Sequence, residues 1–319
     1  MTDSALGLEK REQDQCILCG AARLVEVAVQ VDRRKGLPGR WRLLECGDCG
    51  AISVAPLPLA DELSTYYASY SNDSQAASAG GAGSRFPWLR KLFHAISGDV
   101  DPRDFVKIGE GTRVLDYGCG PASYLADFHH KGVNISGAEI ATDVVNACRA
   151  KGFDVRKVED VHRIPFADAE FDLVYLMQVF EHLRDPHGFM HELSRVLKPS
   201  GMLYLALPNR RSVWRKIFGK NWVSGWFTPF HLFHYDRDSL ERIARQHGFE
   251  AIAAWSRTPE SWFRLNLKAT IYPNDMSLDS RRCWLDIGMV RLLSMLILRI
   301  IELPVRQRDC LVVEFVRLS

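Results

Sequence analysis

From Arg113 onward, apolar strand-like segments alternate with helical ones, and the first strand meets the first helix through a glycine-rich turn. Arg113–Tyr117 is short and apolar, Gly118-Cys119-Gly120 follows, and 122–131 has helical spacing. Asn134–Glu139, a helix over 142–151 and a strand over 153–157 repeat the unit. Phe171–Met177 then reads as a buried strand, 186–197 as a helix, and 201–207 as a strand after the turn Lys198-Pro199-Ser200-Gly201. A helix over 239–247, stopped by Gly248, precedes a strand over 249–255. Alternation of this kind predicts an α/β fold with a doubly wound, Rossmann-like parallel sheet. Ligands of such sheets bind at the carboxyl ends of the strands.

A second constraint lies near the amino terminus. Cys16-x-x-Cys19 and Cys46-x-x-Cys49 are separated by 26 residues, and each pair is followed by a glycine. Two residues between thiolates let one tight turn aim both sulfurs at a single ion, so the two knuckles predict a tetrahedral Zn2+ shell. Strand-like segments at 24–31 and 41–44 make the unit similar to a small zinc ribbon. Four thiolates fill the shell, so the ion is expected to hold structure and not perform chemistry. Eight cysteines in 319 residues are too sparse for a secreted disulfide scaffold. Cys119, Cys148, Cys283 and Cys310 stand singly and read as small core or surface residues.

Composition narrows the classes further. With 47% hydrophobic and 25% charged residues, the chain is not mostly disordered. Its 41 Lys and Arg against 39 Asp and Glu leave a net charge of +2, which is no strong footprint for nucleic acid. The first sixteen residues lack the apolar run of a secretory signal, and no uncharged apolar stretch reaches the ~18–20 residues that span a bilayer. The expected location is the cytoplasm.

The glycine-rich turn reads Asp116-x-Gly118-x-Gly120-x-Ala122. A nicotinamide fingerprint is its obvious competitor. Asp116 ahead of the first glycine, the G-x-G-x-A spacing and Pro121 at the helix start all speak against that competitor. A carboxylate beside the turn suits a sulfonium amino acid better than a pyrophosphate. Glu139 ends the next strand, where a carboxylate can accept both hydroxyls of a ribose.

Residues 113–209 resemble the class I S-adenosylmethionine-dependent methyltransferases that act on small molecules, lipids and glycans. The matching pieces are LDYGCG, the strand end GAEI, EDVHRIPFADAEFDLVYLMQVFEHLRDP, and ELSRVLKPSGMLYLALPN. The resemblance implies a seven-stranded sheet, with the closing 311–319 as its last, antiparallel strand. It implies that Gly118 and Gly120 let the backbone approach the methionyl group, that Asp116 lies near its ammonium, and that Glu139 holds the ribose. Ile140 would pack on the adenine, Asp160 and the Val161 backbone would meet its amino edge, and Gln178 completes the cofactor-binding set. The expected organisation is a zinc-ribbon module at 1–70, a flexible linker at 71–85 and a methyltransferase domain at 86–319. That domain would carry an aromatic cap insertion at 209–237 and a helical cap at 258–308.

The acceptor is less constrained. The loop after the fourth strand of this domain is Gln178-Val179-Phe180-Glu181-His182. It lacks the motifs of enzymes that methylate nucleobase amines or pyrimidine carbon 5. Some quinone O-methyltransferases carry Glu-x-x-Glu-His here as a metal site, but Gln178 in the first position argues against a catalytic divalent ion. Glu181 and His182 are expected to orient this loop, and His231 is the preferred general base. The aromatic residues of 209–235 either pack on an acceptor or on one another. The apolar stretch 287–303 is a cap helix or a shallow membrane contact. The expected reaction is O-methylation of a small molecule, sugar or lipid/glycan intermediate. The alternative is an RNA methyltransferase that reads nucleic acid through the ribbon, supported only by the basic clusters at 32–35 and 210–216.

Overall fold

Two sheets carry the architecture, and a computed structural model of the chain describes them over residues 13–59, 62–63, 87–106, 108–129 and 132–319. The expected linker at 71–85 lies outside the described residues, as do 1–12, 60–61 and 64–70 of the expected ribbon module. Near the amino terminus β1 (Leu24–Gln30), β2 (Trp41–Cys46) and β3 (Ile52–Ala55) form an antiparallel meander, and helices α1 (Pro87–Ser97) and α2 (Pro102–Phe105) follow. The main domain then runs β4 (Arg113–Tyr117), α3 (Ser123–His129), β5 (Asn134–Glu139), α4 (Thr142–Ala150), β6 (Val155–Lys157), β7 (Phe171–Met177), α5 (Pro186–Val196) and β8 (Leu197–Pro208). An insertion holds α6 (Val213–Phe218), α7 (Val223–Trp226) and β9 (Phe233–His234). The chain closes with α8 (Arg237–Gln246), β10 (Phe249–Arg257), α9 (Glu260–Ile271), α10 (Gly288–Ile301) and β11 (Cys310–Arg317).

The main sheet has seven strands in the order β10-β11-β8-β7-β4-β5-β6. Strands β8, β7, β4, β5 and β6 are parallel, whereas β11 runs antiparallel to both β8 and β10. The expected seven-stranded sheet and its antiparallel last strand are both present. Central strands bury both faces, as parallel strands covered by helices must. Leu115 packs with Val174, Phe189 and Leu193 on one side, while Val114 packs with Leu125, Phe128 and Leu173 on the other. The order reverses between β4 and β7, and a crevice opens at that reversal, beyond the carboxyl ends of both strands. Capping fixes two helices that pack in one core cluster on the main sheet. The Asp185 carboxylate accepts from the Gly188 amide at 2.9 Å ahead of Pro186, and Asp236 and Ser239 form a reciprocal box at the start of α8.

The strand expected from 201 is joined by Leu197, which already pairs with Phe171; the expected turn at 198–201 persists inside β8 as a register shift, with Ser200 at φ +61°. Strands β3 and β9 were not anticipated, being too short to show a period. They matter most for the layout. Ile52 pairs with His234 and Ser53 with Phe233, so the cysteine-bearing segment and the insertion share one four-stranded sheet. Trp41, Leu43, Ile52 and Val54 form a common core with Trp214, Trp222 and Trp226.

Candidate functional site

The crevice between β4 and β7 encloses about 440 Å³. Its floor is the turn after β4. The Gly118 and Cys119 amides both donate to the Ala138 carbonyl, at 2.8 and 3.2 Å, which folds the turn over the end of β5. Gly118 has φ +78°, and a Cβ there would lie 2.5 Å from Val179 Cγ2, so only glycine fits. Gly120 has φ +50° and faces open space, where an added Cβ would meet nothing within 4 Å. Ala122, where many relatives of the class named above have glycine, is buried and adopts φ +59°. Gln178, at φ +58°, follows β7 on the facing wall. Two non-glycine residues held at positive φ beside one crevice mark stored backbone strain of the kind found at functional sites.

Two carboxylates frame the floor. Asp116 is buried at the end of β4, and its Oδ2 has no hydrogen-bond partner. Burial pushes its carboxyl up to about 7; the neighbouring Tyr175 hydroxyl pulls it down and Glu139 adds repulsion. Glu139 is tied to the turn itself. Its Oε2 accepts from the Gly120 amide at 3.0 Å, and its Oε1 accepts from the Ile140 and Ala141 amides at 2.8 and 3.0 Å. A carboxylate offers about four acceptor positions, so capacity remains for a ligand hydroxyl. Ile140 and Val161 are exposed apolar residues at the ends of β5 and past β6. Asp160 is exposed, and its Oδ1 accepts from the His162 amide at 2.9 Å. Asp116, Gly118, Gly120 and Gln178 line the crevice, whereas Glu139, Ile140, Asp160 and Val161 lie outside its immediate wall, Glu139 being joined to it through the Gly120 amide.

Sequence reading missed the opposite wall. Asp99 and Val100 come from the segment after α1, Pro259, Ser261 and Trp262 from the start of α9, and Cys310 from the start of β11. Cys310 pairs with Pro208 across the sheet, which puts the first residue of an antiparallel strand at the carboxyl end of its parallel neighbours. Burial pushes its thiol well up, so it stays protonated, and the Gln178 side-chain amide donates to it at 3.4 Å. Each of these positions depends on long-range strand order, which no local pattern encodes.

Glu181, His182 and His231 come together, but off the crevice wall. The Nδ1–H of His182 donates to the Phe230 carbonyl at 2.8 Å, and that of His231 donates to the Gly225 carbonyl at 2.7 Å. The two rings meet edge to face, 4.8 Å between centroids, and His231 Nε2 lies 3.9 Å from Glu181 Oε1. Glu181 is wholly buried with neither carboxyl oxygen hydrogen-bonded. Burial pushes Glu181 up to about 8, His182 down to about 4, and His231 well below the ordinary imidazole range. All three are therefore neutral near pH 7. The aromatic residues of the insertion are likewise turned inward. Trp214, Trp222, Trp226, Phe230 and Tyr235 are buried, so of the two readings the self-packed cap holds, and the crevice takes its aromatic surface from Tyr124 and Trp262.

The four paired cysteines converge. Their sulfurs all lie within 4.8 Å of one another, with Cys16–Cys49 at 3.6 Å and Cys19–Cys46 at 3.5 Å. Tetrahedral zinc with ~2.3 Å Zn–S bonds sets sulfurs about 3.8 Å apart, so the spacing fits. The Asp48 and Cys49 amides point at Cys46 Sγ from 3.4 and 3.5 Å. The Cys16 thiol beside it, together with burial, pushes Cys49 well up; a cation among the sulfurs reverses that preference.

The basic clusters behind the nucleic-acid reading are structural. Arg33 is buried and donates to the Ala269 and Tyr272 carbonyls at 2.9 and 2.6 Å, and Arg34 pairs with Asp279 at 3.0 Å. Arg210 pairs with Glu45 and Asp236, at 3.0 and 2.8 Å, and Arg211 pairs with Asp236 and Asp238. These guanidiniums tie the amino-terminal sheet, insertion and α8–α9 region together, Arg33 and Arg210 from buried positions and Arg211 from the surface.

Comparison with known proteins agrees with this geometry. A family described as "Methyltransferase domain" matches residues 88–254. A ubiquinone biosynthesis O-methyltransferase of Maricaulis maris is 36% identical over 135 residues, covering 39% of this chain and 53% of that protein. One from Hydrogenovibrio crunogenus is 28% identical over 151 residues, covering 44% and 62%. The chain thus spans little more than half the length of these relatives. Among solved structures, the [4+2]-cyclase SpnF superimposes with a TM-score of 0.52 at 17% identity, over 82% of this chain and 97% of that one. That likeness concerns the fold alone.

Proposed function

Because the chain belongs to the methyltransferase domain family, we propose that it is an S-adenosylmethionine-dependent enzyme that methylates an oxygen of a small molecule, sugar or lipid/glycan intermediate. The observation that carries this reading is the crevice floor, where Gly120 faces open space, one oxygen of the buried Asp116 carboxyl has no hydrogen-bond partner, and the Glu139 carboxylate is tied to the Gly120 amide. A name borne by relatives over part of their length supports oxygen as the acceptor atom. Pairing of Arg33, Arg34, Arg210 and Arg211 with the chain's own carbonyls and carboxylates leaves the RNA alternative little free basic surface in the clusters at 32–35 and 210–216.

Asp116 would hold the methionyl ammonium and Glu139 the ribose hydroxyls. Ile140 would cover one adenine face, with Asp160 and the Val161 backbone at its amino edge, and Gln178 beside the methionyl chain. When bound, S-adenosylmethionine supplies an electrophilic methyl group on a sulfonium. The chain's own contribution is then alignment of the acceptor oxygen and exclusion of water, which Tyr124 and Trp262 favour by walling the crevice with aromatic surface. His231 is the proposed proton acceptor. Burial keeps its ring neutral but also lowers its basicity, and the acceptor would have to reach Nε2 through the cap. Glu181 and His182 brace the same loop. Cys16, Cys19, Cys46 and Cys49 would hold a structural Zn2+, which through β3 and β9 steadies the cap.

Two measurements test this. Incubation with methyl-labelled S-adenosylmethionine and panels of phenols, sugars and polyprenyl carriers should move label onto an oxygen. Binding of the cofactor without transfer to any acceptor class would count against an O-methyltransferase. Elemental analysis of the purified chain should find about one zinc per chain, lost when Cys46 is replaced by Ser.

A further inference from the structure

Helix α10 leaves most of its apolar surface uncovered. Of its fourteen residues only Met295 and Leu298 are buried. Met289, Leu292, Leu293, Leu296 and Ile300 recur at helical spacing on the side away from those two, and each is 45–80% exposed. Helix α1, which packs beside α10, exposes Trp88, Leu92 and Phe93. Neither helix contains an Asp or Glu. Residues 87–98 and 281–308 together hold eight Arg or Lys against two acids, a net of +6 where the whole chain has +2. Lys91, Arg282 and Arg306 are exposed, with no carboxylate partner among the described residues. An apolar stripe with cationic flanks is the surface that anionic lipid attracts.

We propose that α1 and α10 dock the protein on the surface of an anionic lipid bilayer, α10 lying in the plane of the headgroups. A helix of fourteen residues is about 21 Å long, short of the ~30 Å hydrocarbon core, and none among the described residues is long and apolar enough to cross a membrane. A second copy of the chain suits the face less well, because a twofold contact sets the same cationic flanks against each other. The placement also bears on the crevice. Gly98 sits against Arg299 of α10, and the next residues, Asp99 and Val100, line the crevice. Arg299 in turn donates to the Thr258 carbonyl at 2.6 Å, next to Pro259 on the same wall. The docked helix would therefore sit directly behind one wall of the crevice.

Co-sedimentation of the full chain with vesicles tests the proposal without the cofactor or methyl transfer, so its failure leaves the proposed reaction standing. Binding to phosphatidylcholine vesicles containing phosphatidylglycerol should exceed binding to pure phosphatidylcholine by roughly tenfold, and fall when salt is raised. Leu292→Asp with Leu296→Asp should reduce it to the phosphatidylcholine level while cofactor binding by the same variant stays unchanged. Equal sedimentation with both vesicle types would overturn the proposal. So would a dimer that the double variant dissolves, or α10 amides protected from exchange in a chain that binds no vesicles, since a second copy or another part of the chain would then cover the face.

Discussion

The crevice and the cap both bury carboxylic acids without full hydrogen bonding, yet they differ in what lies next to them. Asp116 is pushed up to about 7 beside a turn whose Gly120 faces open space. Glu181 is pushed up to about 8 within a shell of imidazoles and aromatic rings, off the crevice wall. A shifted pKa marks burial in both places. Access separates them, and access comes from strand order and not from the residue. The same contrast bears on the histidines: the Phe230 and Gly225 carbonyls hold Nδ1 of His182 and of His231, so only Nε2 of His231 is left for the proposed proton transfer, and it lies off the crevice wall.

The largest expected effect breaks the cap while sparing the crevice. Zinc binding supplies folding free energy directly, so removing the ion or replacing Cys46 with Ser should lower the first melting transition by ~10 °C or more. Fluorescence of Trp214, Trp222 and Trp226 should report the loss, because their core is shared with β2 and β3. Next in size is Glu139→Ala. It removes charge-assisted hydrogen bonds to a ligand and to three turn amides, and cofactor binding should weaken roughly ten- to a hundredfold.

Protonation sharpens the contrast further. A cationic ammonium near Asp116 favours its carboxylate, so binding is weakest where the free protein holds the proton. Affinity should rise about tenfold between pH 6 and pH 8 and then level off, and Asp116→Asn should flatten the profile. The smallest effect belongs to Glu181. Its folded pKa is raised, so its contribution to stability is full below the unfolded value and is lost as pH rises through about 8. Glu181→Gln should therefore gain roughly 2–4 °C relative to the parent at pH 8.5, and nothing at pH 4. His182 and His234, both pushed down to about 4, act in the opposite sense. Their contribution is present above pH 6.5 and lost as pH falls toward 4.

What the sequence encodes locally was legible. Asp116, Gly118, Gly120 and Glu139 sit within one strand–turn–helix–strand unit, so period and spacing placed them. The two cysteine knuckles were legible for the same reason. Asp99, Trp262 and Cys310 were not, since each reaches the crevice through packing between segments far apart in the chain. Short β3 and β9 carry no period, yet their pairing decides that the aromatic insertion faces the cysteine-bearing sheet and not the ligand space.

Titration calorimetry with S-adenosylhomocysteine tests the central claim most directly. The account predicts one site per chain, weakened at least about tenfold by Glu139→Ala and unchanged by His231→Gln. No binding by the parent protein, or equal losses from both substitutions, would contradict it.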